Sequence, residues 1–104
     1  MFGKISGFIL LALLTSHPTL AAGNPEAGKA ASAVCAGCHG GKGISATGAF
    51  PNLAGQKADY LAAQLKAFRE KTRPSPIMAP MAASLKDDDI ANLAAYFASL
   101  KPCE

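Results

Sequence analysis

Five consecutive residues, Cys35-Ala36-Gly37-Cys38-His39, combine two thiols and an imidazole at a spacing that can do chemistry. Two thiols three positions apart on a tight turn can form thioethers with two vinyl groups on one edge of a porphyrin. The next residue, His39, is then carried under the iron, where its imidazole can coordinate. Cys-x-x-Cys-His is the attachment signature of c-type haem. Other readings account for less. A thioredoxin-like redox pair belongs at a strand-to-helix junction in a βαβ unit, and nothing in this chain alternates as βαβ does. A zinc site needs a fourth ligand, and Cys103 stands at no recognised spacing for one. A disulfide between Cys35 and Cys38 leaves the histidine unexplained.

The second candidate group is a pair of thioethers, Met78 and Met81, in the stretch Arg73-Pro74-Ser75-Pro76-Ile77-Met78-Ala79-Pro80-Met81. A methionine in a loop is more often packing than ligand. Here prolines on both sides would hold a sulfur in place at low entropy cost. These residues leave Met78 and Met81 both open as ligands. Iron held by His on one face and Met on the other is closed to substrate, which is an electron-transfer arrangement. With the sixth position open, the same haem would suit an enzyme or a gas sensor.

Helices must position these groups. Asn24-Pro25-Glu26 reads as a helix start: a capping Asn, Pro at the first helical position and an acid in the first turn. That helix is expected to run through Gly28 and Val34 to Cys35. Residues Gly37 to Gly55 are rich in Gly, Ser and Thr and read as a loop. Tyr60, Leu61, Gln64, Leu65 and Phe68 recur at helical spacing and predict a helix over Lys57 to Lys71. The three prolines of the Arg73–Met81 stretch predict an extended, stiff segment. The last helix is expected from about Asp87-Asp88-Asp89, three acids where the macrodipole favours negative charge. Its buried face is Ile90, Leu93, Ala94, Phe97 and Leu100, and Pro102 ends it. The pattern is all-α: three principal helices joined by two functional loops.

Bulk properties fit a small cofactor-bearing domain. Lys4, the apolar run Ile5–Leu14 and the small residues Thr19-Leu20-Ala21-Ala22 read as a signal peptide over residues 1–22, cleaved near Ala22. The run is about half the ~20 apolar residues a membrane span needs. No integral span is expected after cleavage, and His39 is then the one histidine left. The remaining domain, residues 23–104, is about 82 of the 104 residues. A chain this short, with no tryptophan, lacks material for a self-sufficient core, and a large apolar cofactor would supply it. Losing Lys4 from ten basic residues leaves nine against seven acids. Nucleic acid, which needs clustered basic charge, is not indicated.

Several motifs in order resemble the class I c-type cytochromes, and within them the small bacterial cytochrome c-553 and c4-like proteins. They are Glu26-Ala27-Gly28-Lys29, Cys35-Ala36-Gly37-Cys38-His39-Gly40, Phe50-Pro51-Asn52-Leu53-Ala54-Gly55-Gln56, Ile77-Met78-Ala79-Pro80-Met81, and Asp89-Ile90 through Leu93-Ala94-Ala95-Tyr96-Phe97. The resemblance implies a class I cytochrome c fold wrapped around one covalent haem c, bound by Cys35, Cys38, His39, Pro51, Leu53 and Met78. Iron would be held by His39 and Met78, with Met81 a packing neighbour. Pro51 would offer its carbonyl to Nδ1–H of His39, and Leu53 would lie on the porphyrin. Gly28 would sit where the first and last helices cross, against Tyr96 and Phe97.

It further implies a non-enzymatic periplasmic electron carrier working in respiratory-type transfer between larger redox complexes. The haem c electron-entry subunit of a dehydrogenase complex is the neighbouring alternative. Lys42 and Lys57 are candidates to ring the haem edge and steer acidic partners. Two features depart from the pattern. Lys86 stands where a Ser or Thr cap is usual, so Asp87 or Ser84 is expected to cap the last helix. Cys103 has no counterpart, and is a free thiol, a tether or an incidental residue.

Overall fold

The computed structural model describes Gly3, Gly7 and residues 23–103. The leader expected over residues 1–22 lies, but for Gly3 and Gly7, outside the described residues. Five helices follow in order: α1 (Pro25–Ala31), α2 (Ala33–His39), α3 (Ala58–Arg69), α4 (Met78–Ala82) and α5 (Asp87–Ser99), and among the described residues there is no strand. α5 is the organising element, packed against α1 and α3, while α4 packs on α3.

The N-terminal helix starts where the capping residue dictates. Asn24 Oδ1 accepts from the N–H of Glu26 and Ala27 at 2.9 and 3.2 Å, and Pro25 occupies the first turn. The helix does not run unbroken to Cys35 as its sequence suggested. Ser32 interrupts it: its Oγ and N–H both bond to Lys29 O, at 2.7 and 3.2 Å. A short hydroxyl side chain competes with the helical ladder in this way. A new helix, α2, then begins and carries the chain past Cys35.

α1 crosses α5 at Gly28. A Cβ there would lie 1.9 Å from Asn92 O and 2.7 Å from the Tyr96 Cβ, so glycine is what permits the approach. Asn92 Oδ1 also accepts from Asn24 N–H at 2.8 Å, tying the start of α1 to α5. The core is small: Leu61 of α3 with Leu93, Ala94, Tyr96 and Phe97 of α5, and Cys35, Leu53, Leu65, Leu85 and Leu100 packed around them. Apolar side chains recurring at three- and four-residue spacing account for that face.

Two further expectations change. Met78–Ala82 is a short helix rather than extended chain. Pro80 is its third residue, where the backbone N–H has no helical acceptor, so a proline costs nothing there. The start of α5 is capped neither by Asp87 nor by Ser84. Lys86 takes the cap position, and Asp89 Oδ2 accepts from its backbone N–H at 2.9 Å. Lysine has no acceptor to return the bond. Asp87 instead pairs with Arg69 Nη1 at 2.8 Å, and the same nitrogen donates to Leu85 O at 3.1 Å. The end of α3 therefore clamps the start of α5.

Candidate haem site

Helix α2 sets the geometry of the five-residue motif. Residues Gly37 to His39, expected in a loop, complete the helix. Cys35, Cys38 and His39 stand at i, i+3 and i+4, which share one helical face. A single turn of helix is thus the tight turn the chemistry asks for. Gly40 ends it at φ +84°, with its N–H on Ala36 O at 2.9 Å. A Cβ there would meet Ile44 O at 1.9 Å.

The chain then loops back beneath the histidine. Gly43 O accepts from Leu53 N–H and Ala54 N–H at 2.7 and 2.9 Å, and Gly55 N–H donates to Phe97 O at 2.9 Å. Asn52 Oδ1 accepts from Ser45 N–H at 2.7 Å, closing the loop across its waist. These bonds fix Phe50–Leu53. Pro51 O lies 2.8 Å from His39 Nδ1. A carbonyl only accepts, so Nδ1 carries the proton and Nε2 keeps its lone pair. His39 is buried at 7 % exposure, and the edge of its ring meets Phe50 at 6.3 Å between centroids.

His39 opens on a cleft of about 1190 Å³ counted to its mouth. Pro51 and Leu53 line it from the loop, Leu61, Leu65 and Phe68 from α3, and Ile77 and Met78 from α4 and its approach. Met81 is absent from the lining and 43 % exposed. The structure therefore separates two methionines that spacing alone could not. Ser75 Oγ accepts from Met78 N–H at 2.9 Å, and Ser75 O from Ala79 N–H at 3.1 Å, so Ser75 seats the first turn of α4. Cys35 is half-buried against the core and Cys38 exposed, both as free thiols, and burial pushes the Cys35 thiol up from its ordinary pKa.

Some lining residues were not foreseen. Tyr60, Gln64 and Phe68 were grouped with Leu61 and Leu65 as one apolar stripe. All five line the cleft, and Leu61 alone of them also belongs to the buried core cluster. The polar Gln64 inside an apolar stripe was the available signal. Arg73 and Ser75 line it as well, although nothing in the proline-rich stretch distinguishes them. Lys42 and Lys57 are exposed but neither lines the cleft.

The donor set fits a c-type haem: paired thiols, an imidazole with its second nitrogen free to coordinate, a thioether, and otherwise mostly apolar walls. Residues 25–101 match the family profile named Cytochrome c. The chain belongs to the cytochrome c family. It is 42 % identical over 81 residues to cytochrome c-554(548) of Halomonas halodenitrificans, covering 75 % of this chain and 98 % of that one. It is 42 % identical over 98 residues to cytochrome c4 of Pseudomonas aeruginosa, covering 94 % of this chain but 49 % of the relative. The fold matches the crystal structure of reduced cytochrome c4 from Pseudomonas stutzeri with a TM-score of 0.74 at 39 % identity, over 77 % of this chain and 47 % of that one. The chain thus spans about half the length of the cytochrome c4 relatives it matches. The family resemblance read from the motifs holds, and with it a class I cytochrome c fold, covalent haem c as the cofactor and electron transfer as the role.

Proposed function

We propose that this chain is an exported one-electron carrier whose haem c is joined to Cys35 and Cys38, with iron held between His39 and Met78. The observation that carries the assignment is the buried imidazole of His39. Its Nδ1 is committed to Pro51 O at 2.8 Å, leaving Nε2 as a lone pair on a residue that lines the same cleft as Met78. The bond to Pro51 fixes the ring's tautomer and orientation and makes Nε2 a stronger donor. Bound haem supplies an iron that gains and loses one electron. His39 and Met78 would hold that iron from the walls of one cleft, so that neither oxidation state requires a donor to leave. Leu53 and the apolar lining exclude water, and a thioether donor with a low-dielectric wall raises the reduction potential.

Residues 1–22 read as a leader cleaved near Ala22, which delivers the domain to the periplasm, where it passes electrons between larger redox complexes rather than catalysing a reaction. No helix among the described residues is long and apolar enough to cross a membrane. The amino terminus of the exported protein should be Gly23, give or take one residue, by sequencing. The test of the site is spectroscopic. The far-red sulfur-to-ferric-iron band should be present in the oxidised protein, vanish in Met78→Ala and persist in Met81→Ala. Ready carbon monoxide binding by the unaltered reduced protein, with a spectrum indifferent to either methionine, would overturn the carrier reading in favour of an open-site haem protein.

A further inference from the structure

Helix α4 carries Met78 but has few ties to the rest of the fold. Among the described residues it packs on α3 and on no other helix. It is five residues long, and a helix that short does not hold itself together in water. Its place must therefore come from how the arm over residues 70–86 is fastened at its two ends.

Both fastenings belong to the last turn of α3. At the near end Thr72 N–H and Arg73 N–H donate to Ala67 O at 2.9 and 3.2 Å, and Thr72 Oγ1 donates to the same oxygen at 3.3 Å. At the far end the fastening is a side chain. Arg69 Nη1 donates to Leu85 O at 3.1 Å, and the same nitrogen pairs with Asp87 at 2.8 Å. Leu85 N–H in turn donates to Ala82 O at 3.1 Å, and Ala82, the last residue of α4, is fully buried. A line of bonds thus runs from Arg69 through Leu85 to the end of α4. The two partners of Arg69 differ in shelter. Asp87 is 73 % exposed, so water competes for that pair, whereas the bond to Leu85 O is partly buried.

We infer that Arg69 is a positioning residue for the sixth ligand of the iron: by holding Leu85 O it keeps the arm closed and sets how often Met78 leaves the metal. The inference rests on the reading above that Met78 binds iron. A charge-assisted hydrogen bond is among the stronger ties a side chain makes. Without it the arm is fastened by side chain or backbone to α3 at its near end alone, and α4 is freer to swing from the cleft. An added base reaches the iron only in molecules whose methionine is off, so its apparent affinity scales with that fraction.

The experiment titrates the ferric holoprotein with imidazole, reading the haem spectrum and the far-red band, beside a thermal melt of each sample. Arg69→Met keeps the aliphatic stem and removes the donors. It should bind imidazole about tenfold more tightly, the effect expected of losing one hydrogen bond to a charged group. Asp87→Asn leaves the Leu85 bond standing and should change the affinity less than about threefold, as expected of an exposed pair, even where its melt falls as far. In a Met78→Ala background no methionine competes, so adding Arg69→Met should alter the affinity by less than about twofold. An unchanged affinity in Arg69→Met, an equal gain in Asp87→Asn, or the same gain without Met78 would each overturn the inference. Should Arg69→Met yield no holoprotein, Arg69→Lys decides: a shorter stem without the fork should give a smaller gain of the same sign, and none would overturn it. An unaltered protein that lacks the far-red band, or binds imidazole as tightly as Met78→Ala, would overturn the site reading and this inference with it.

Discussion

Ser75 shows how one residue can seat another that lines the cleft. Its hydroxyl accepts the Met78 N–H at 2.9 Å, satisfying a donor that the first turn of α4 leaves over. Removing one such bond costs about 1 kcal/mol. In Ser75→Ala the fraction of molecules with the methionine detached should rise roughly fivefold, since 1 kcal/mol is a factor of about five. Carbon monoxide occupancy of the reduced protein measures it. The far-red band should weaken without disappearing, in contrast to its loss in Met78→Ala.

Between elements, two contacts set how α5 sits. At Gly28 the α1–α5 crossing leaves no room for a methyl group, with Asn92 O 1.9 Å from where a Cβ would be. The atom in the way is backbone, so the helices must separate. Gly28→Ala should destabilise the holoprotein by about 2 kcal/mol, in the range of overpacking, and lower its melting temperature by roughly 10 °C for a domain of this size. The Arg69–Asp87 contact is exposed, and its effect appears in pH dependence. The Arg69 hydrogen bond, aided by its charge, holds the Asp87 carboxyl below the usual carboxylate range. A depressed pKa stabilises the fold above the unfolded value of about 3.9 and ceases to do so as pH falls through the folded value. Acid unfolding of Asp87→Asn should therefore show a shallower loss of stability below about pH 4 than the unaltered protein. Added salt should narrow the difference.

At the scale of the molecule, the core is too small to stand alone. Its buried core cluster is five side chains, and the apolar lining of the cleft faces space that haem would fill. Domains near this size usually depend on a cofactor, metal or disulfide, and the described cysteines are free thiols. Cys35→Ala with Cys38→Ala, which removes both proposed points of attachment, should lose most of the far-ultraviolet helical signal and any cooperative melting transition. A native-like melt without haem would show the helices to be self-sufficient.

The sequence by itself determined what depends on near neighbours along the chain. The motif Cys35–His39, the cap at Asn24, the stripes of α3 and α5 and the acidic start at Asp87 are local patterns with local causes, and the all-α class followed from them. The break at Ser32 was equally local but not foreseen, because whether a hydroxyl bonds to its own helix or to solvent is a close balance. Pro80 misled because a proline forbids a helix interior yet suits a first turn, and the difference is two residues of register. What remained was decided by tertiary structure. Met78 and Met81 are alike in type and lie three residues apart in one proline-rich stretch, and only the seating of α4 on α3 puts one in the cleft and the other toward solvent. Leu61 and Gln64 share a helix and both line the cleft, yet only Leu61 also joins the core cluster, while Arg73 reaches the cleft after a left-handed residue, Lys71, at φ +62°. The same applies to His39: its type and spacing offered an imidazole to iron, but which nitrogen is free was settled by a carbonyl twelve residues away in the chain.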